Sequence, residues 1–172
     1  IVGKRGHVEV RGMTEDLDTA EVVVSFQEID RLPERARYGV LAQTTQPIAF
    51  VRQCVERLRA RFPQAEVRFI DTVCRPTKQR QSAAVSLAKE CDLVLVVGGA
   101  NSNNTRELAE TCREHCAHVY HVQTAADLRP DWLKEPGVRT VGLTAGTSTP
   151  DVIIDAVEQR VKEWIESEDG DG

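Results

Sequence analysis

One cysteine in this chain stands where its chemistry can be used. The run Asp71-Thr-Val-Cys74-Arg-Pro-Thr77-Lys-Gln-Arg80-Gln81 follows Val67 to Ile70, which read as a buried strand, and Pro76 and Thr77 open a predicted helix. Cys74 therefore falls in a strand-to-helix turn, where backbone amides and small hydroxyls converge. A sheet protein places a reactive thiolate or a metal ligand at such a point.

The arrangement recurs twice downstream with small polar turns in place of the cysteine. Asp92 to Val97 lead into Gly98-Gly-Ala-Asn-Ser102-Asn103-Asn104-Thr105, and Val138 to Leu143 lead into Thr144-Ala-Gly146-Thr-Ser148-Thr-Pro150-Asp151. Each turn opens a predicted amphipathic helix. Free amides at a helix N-terminus, glycines that permit close approach and Ser or Asn donors together favour an anion such as phosphate. One cysteine turn and two phosphate-type turns on neighbouring strands are expected to face one cleft.

Further strings join these in a fixed order: Gly3-x-x-Gly6-His7-x-Glu9-Val10-x-Gly12, then Gln43-Thr44-Thr45, then Cys74 with Thr77 and Arg80-Gln81, then the two polar turns. Taken together they resemble the 4-hydroxy-3-methylbut-2-enyl diphosphate reductases, the LytB/IspH family. The resemblance implies a fold of three α/β domains in pseudo-threefold arrangement, of which this chain matches two. It also implies a preceding domain with two more cysteine ligands, so the 172 residues are expected to be the later half to two thirds of a longer polypeptide.

What the resemblance implies for single residues stands beside what each would do in any helical protein. Cys74 is implied to be one of three cysteines on a [4Fe-4S] cluster, which leaves one iron open to a substrate oxygen. His7 is implied to contact the diphosphate, and on its own terms it caps the helix starting at Val8. Glu9 is implied to be the proton source that lets the substrate hydroxyl leave as water, with Thr44 relaying or orienting that proton and touching substrate. Its plain reading is an acid in a helix's first turn. Thr77 either orients the same hydroxyl or simply opens its helix. Ser102, Asn103, Asn104 and Ser148 match the diphosphate contacts, and all four also suit caps and turns.

The reaction so implied removes the allylic hydroxyl of 4-hydroxy-3-methylbut-2-enyl diphosphate with two electrons and two protons. Isopentenyl and dimethylallyl diphosphate are the products, on the non-mevalonate route to isoprenoids. Ferredoxin or flavodoxin is the implied electron donor. The alternative from another class is a non-catalytic, phosphate-binding α/β fragment without an assembled cluster.

Composition fits an ordinary soluble globular protein. Residues 162–172 carry five acids and one lysine, so most of the net charge of -5 sits in an acidic end and no basic face suggests nucleic acid. No apolar run has transmembrane length, so no membrane partner is expected. Bacterial cytoplasm is the default location, with a plastid as the alternative if a transit peptide preceded these residues. Five scattered cysteines argue for a reducing compartment rather than a disulfide scaffold. Cys54 and Cys91 read as packing residues. Cys112, His115, Cys116, His118 and His121 resemble a zinc cluster only in spacing, because His118 and His121 fall on a strand and point to opposite faces.

To position these residues the chain must alternate strand and helix. Strands are predicted at Ile1–Val2, Glu21–Ser25, Gly39–Gln43, Glu66–Ile70, Asp92–Val97, His118–Val122 and Val138–Leu143. Helices are predicted at Val8–Met13, Pro47–Phe62, Thr77–Cys91, Asn103–Cys116 and Pro150–Ser167, with a short helical turn at Pro130–Leu133. Such alternation implies parallel sheets with helices on both faces. Two α/β domains are expected, 1–70 and 71–167, followed by an acidic tail at 168–172.

Overall fold

A computed structural model of the protein describes residues 1–169. The acidic tail expected at 168–172 therefore lies, in its last three residues, outside the described part. Two compact units are present, Ile1–Lys78 and Gln79–Gly172, divided inside a helix. Residues 71–78 belong with the first unit: Val73 is in its core, the Thr72 hydroxyl bonds Ala42, and the Cys74 amide bonds the Thr44 carbonyl.

The first unit contains helices α1 (Val8–Thr14), α2 (Phe26–Ile29) and α3 (Ile48–Arg61) and strands β1 (Arg37–Val40) and β2 (Glu66–Phe69). β1 and β2 pair in parallel, with Tyr38 beside Val67 and Val40 beside Phe69. Val2 bridges both Val23 and Ala42, again in parallel. The helix α3 forms because its apolar residues recur at helical spacing: Val51, Cys54, Val55 and Leu58 make one buried stripe that covers Val2, Val23, Val40 and Ala42.

Two predicted strands differ here for local reasons. Glu21–Ser25 shrinks to the single bridge at Val23, because the Val24 amide is taken by Glu28 Oε2 at 2.6 Å and Ser25 already precedes α2. The strand predicted at Gly39–Gln43 begins earlier, at Arg37, since Ala36 and Arg37 join the ladder opposite Glu66.

The second unit is built on three parallel strands, β3 (Leu93–Val97), β4 (His118–Val122) and β5 (Val141–Ala145), in the order β4-β3-β5. The central strand β3 is a continuous apolar run, as a strand buried on both faces must be. Its side chains divide by parity. Val94 and Val96 pack against Ala84 and Ala88 of α4 (Arg75–Glu90) and Leu108, Ala109 and Cys112 of α5 (Asn103–Arg113). Leu93, Leu95 and Val97 pack with Val157 and Val161 of α6 (Asp151–Asp169) on the other face. The parallel α/β build expected from the sequence, with helices on both faces of the sheet, is what this unit shows.

The predicted strand Val138–Leu143 lies three residues late as Val141–Ala145. Asp92 explains the shift. Its carboxylate accepts the amides of Arg139 and Thr140, each at 3.0 Å, and the Thr140 hydroxyl at 2.9 Å, which removes those groups from the ladder. Helix α5 stops at Arg113 rather than Cys116. Short 3-10 turns at Ala125–Asp127 and Pro130–Lys134 complete the unit.

Candidate functional site

In the first unit the turn Gly3 to Gly6 is fixed by a buried amide. Gln43, fully buried, accepts the Lys4 N–H through Oε1 at 3.0 Å and donates from Nε2 to Thr45 Oγ1 at 3.1 Å. Gly6 has φ +76°, a left-handed conformation that favours glycine, and delivers the chain to His7. His7 caps α1, its Nδ1 accepting the Glu9 amide at 3.3 Å. That bond leaves the ring proton on Nε2, where the half-buried imidazole can donate to an anion.

Glu9, in the first turn of α1 and half-buried, faces Thr44. The Thr44 amide donates to Glu9 Oε1 at 2.7 Å and the Thr44 hydroxyl to Oε2 at 3.1 Å. The carbonyl of the same threonine accepts the Cys74 amide at 3.1 Å. Thus three of the residues singled out from the sequence, Glu9, Thr44 and Cys74, meet through one residue. Cys74 immediately precedes α4, is half-buried, and has its sulfur 2.9 Å from the hydroxyl of the buried Thr77. Lys78 in the same first turn pairs with Asp71 at 2.8 Å.

Whether these residues suit an iron-sulfur cluster can be judged from the sulfurs themselves. Cys74 suits one ligand position, being partly exposed, at a helix start and beside a hydroxyl that can bond a thiolate. The other four do not join it. Burial pushes the thiols of Cys54 and Cys112 up to about 11, and Cys116 points its sulfur at the carbonyls of Cys91, Asp92 and His118. Cys91 is likewise raised by desolvation. Among the described residues no group of three or more His, Cys, Asp or Glu is gathered. Among the described residues, Cys74 alone of the five thiols has a setting that suits a cluster ligand.

In the second unit Ser102 caps α5, its hydroxyl accepting the Thr105 amide at 3.3 Å. Asn104 Nδ2 donates to Thr147 Oγ1 at 3.1 Å and so ties the start of α5 to the turn after β5. The Thr149 hydroxyl bonds the Val97 carbonyl at 3.0 Å, and the Gly146 amide bonds the same carbonyl at 2.9 Å. Ser148 is exposed at the tip of that turn, and Asn103 is half-buried. Both polar turns read from the sequence therefore converge around the first turn of an eleven-residue helix, a setting that favours an anion.

The residues read as a weak zinc pattern have other work. His121 Nε2 lies 2.9 Å from the Gly98 carbonyl, and His118 pairs with Glu135, which also accepts the Tyr120 hydroxyl. Cys112 is core and His115 is exposed. Two residues gain importance only in the structure. Gln43 belongs to the Gln43-Thr44-Thr45 run, and its burial between two turns has no sequence signal beyond an amide there. Thr105 closes the string that begins at Gly98, with no role legible for it there.

Comparison with known proteins shows the family. The model of the LytB protein family matches residues 1–162. A 4-hydroxy-3-methylbut-2-enyl diphosphate reductase of Pelobacter propionicus is 43% identical over 164 residues, 95% of this chain and 57% of that protein. The reductase of Aquifex aeolicus is 37% identical over 98% of this chain and 58% of its own length. Among solved structures, the E-1-hydroxy-2-methyl-but-2-enyl-4-diphosphate reductase from Plasmodium falciparum superposes with a TM-score of 0.82 at 27% identity, covering 92% of this chain and 50% of that one. The chain spans about half the length of these relatives. With its match running through both units, it belongs to the LytB family.

Proposed function

We propose that this chain is part of a reductase that removes the allylic hydroxyl of 4-hydroxy-3-methylbut-2-enyl diphosphate. Two electrons and two protons enter, the carbon–oxygen bond breaks, the oxygen leaves as water, and isopentenyl or dimethylallyl diphosphate remains. The observation that carries the reading is Thr44, whose amide and hydroxyl hold both oxygens of Glu9 while its carbonyl receives the Cys74 amide. An acid and a free thiol tied through one threonine suit a site that protonates a leaving hydroxyl beside a metal.

Within this proposal Glu9 gives the proton and Thr44 orients it. His7 binds the diphosphate from Nε2, and Thr77 keeps the Cys74 sulfur in place and orients the hydroxyl. Ser102, Asn103, Asn104 and Ser148 hold the diphosphate oxygens. A [4Fe-4S] cluster, with Cys74 as one ligand and the others outside these 172 residues, would supply one-electron reduction and Lewis acidity when bound. Ferredoxin or flavodoxin would deliver the electrons. The domain division 1–70 and 71–167 is proposed for the intact protein, as is a cytoplasmic or plastid location. Among the described residues no helix is long and apolar enough to cross a membrane.

For the 172 residues alone, phosphate binding without a cluster is the second reading, favoured by the single available ligand. The deciding experiment joins this chain to the remainder of a full-length protein and measures reduction of the substrate. Formation of the two diphosphate products supports the proposal. A cluster-loaded protein that binds the substrate and yields neither product overturns it.

A further inference from the structure

Thr105 is fully buried in the first turn of α5, and its Oγ1 has no hydrogen-bond partner. A buried hydroxyl without a partner is costly, and an apolar side chain of similar shape would avoid the cost. Something else must favour an oxygen at this point. A Cβ placed on Gly98 would lie 2.5 Å from this oxygen, and one placed on Gly146 would lie 2.2 Å from it. Gly98 opens the turn after β3 and Gly146 the turn after β5, so the hydroxyl is wedged between the two polar turns, close against both glycines. The carbons Cα–H of both glycines can give it weak contacts.

The wedge is held from behind. The Thr105 amide is tied to Ser102, its β-branched side chain is stiff, and the neighbouring Asn104 bonds Thr147 across the gap. His121 at the Gly98 carbonyl and Thr149 at the Val97 carbonyl anchor the two turns to the sheet. The Gly146 amide on the same Val97 carbonyl joins the bases of the two turns, and the Thr105 hydroxyl fills the gap between Gly98 and Gly146.

We infer that Thr105 is a positioning residue whose hydroxyl sets the spacing between the 98–102 and 146–149 turns and so keeps their diphosphate-binding groups in register. The inference rests on the diphosphate reading given above. A methyl group is larger than a hydroxyl oxygen, so valine overfills this gap, alanine leaves it empty, and serine preserves it.

The test uses the full-length protein, inorganic pyrophosphate measured by calorimetry, and substrate kinetics, each variant's fold checked by circular dichroism. Thr105→Ser retains most of the parental affinity, whereas Thr105→Ala and Thr105→Val weaken it about tenfold or more, in line with the cost of small misplacements, and raise KM more than they lower kcat. Folded Ala and Val variants that bind like the parent overturn the inference, as does a Ser variant no better than Ala. A parent that does not bind pyrophosphate defeats the diphosphate reading instead. The wedge is then tested separately by a double-mutant cycle in denaturant: Gly146→Ala destabilises strongly beside Thr105 and less beside Thr105→Ala, and additive effects overturn the wedge.

Discussion

Both carboxylate oxygens of Glu9 are held by Thr44, one by its amide at 2.7 Å and the other by its hydroxyl at 3.1 Å. Two residues far apart in sequence thus share one rigid, two-point contact. Because the carbonyl of Thr44 also receives the Cys74 amide, a shift of this threonine moves the acid and the cysteine turn together. A hydroxyl that donates to a carboxylate can pass a proton as well as hold one.

Glu9→Gln tests the acid. The amide oxygen still accepts from the Thr44 amide, and the amide nitrogen now donates to the Thr44 hydroxyl with that bond reversed, so stability changes by about 1 kcal/mol or less. If Glu9 supplies the proton, turnover by the full-length enzyme nevertheless falls on the order of a hundredfold or more with substrate affinity retained. Parental turnover in this variant removes Glu9 from the chemistry.

The parts of the fold that were legible are those where local pattern and tertiary packing agree. β3 declared itself as an apolar run, and α3 by the spacing of Val51, Cys54, Val55 and Leu58. The errors came where a side chain competes with the ladder for an amide. Glu28 takes the Val24 amide and Asp92 takes those of Arg139 and Thr140, and neither capture follows from periodicity. The candidate site was legible as strings of small polar residues. The buried supports, Gln43 and Thr105, were not, because an amide or a hydroxyl reads the same in sequence whether solvated or enclosed.

Cys74→Ser tests the ligand. A hydroxyl is a far poorer iron ligand than a thiolate, so the full-length variant loses most of its iron and visible absorption. Cys112→Ser, by contrast, alters the packing against Ala84 and Leu108, and lowers stability by about 1–3 kcal/mol without touching iron content. Unchanged iron in Cys74→Ser ends the ligand assignment.

The buried thiols make stability depend on alkaline pH. Desolvation raises Cys54 and, with a smaller contribution from Cys116, Cys112 from an ordinary 9.0 to about 11. Above pH 9.0 the unfolded chain gives up thiol protons that the folded chain retains, so the unfolded state gains. The stabilising contribution is complete below 9.0 and is lost as pH rises through about 11. Denaturant midpoints measured across that range therefore fall more steeply in the parent than in Cys112→Ala, which is less stable at neutral pH because of its cavity but flatter in profile.

Ser148 and Ser102 separate binding from structure. Ser102 caps α5, so Ser102→Ala loses the bond to the Thr105 amide and costs about 0.5–2 kcal/mol of stability whether or not it touches diphosphate. Ser148 is exposed at a turn tip, and replacing its hydroxyl with hydrogen changes stability by less than about 0.5 kcal/mol. As a diphosphate donor, however, it is worth roughly 1–3 kcal/mol, the range for a hydrogen bond to a charged group. Pyrophosphate titration of Ser148→Ala in the full-length protein thus reads binding with little structural contribution. An unchanged affinity leaves the 146–149 turn with a purely architectural role and confines the diphosphate donors of this unit to the start of α5.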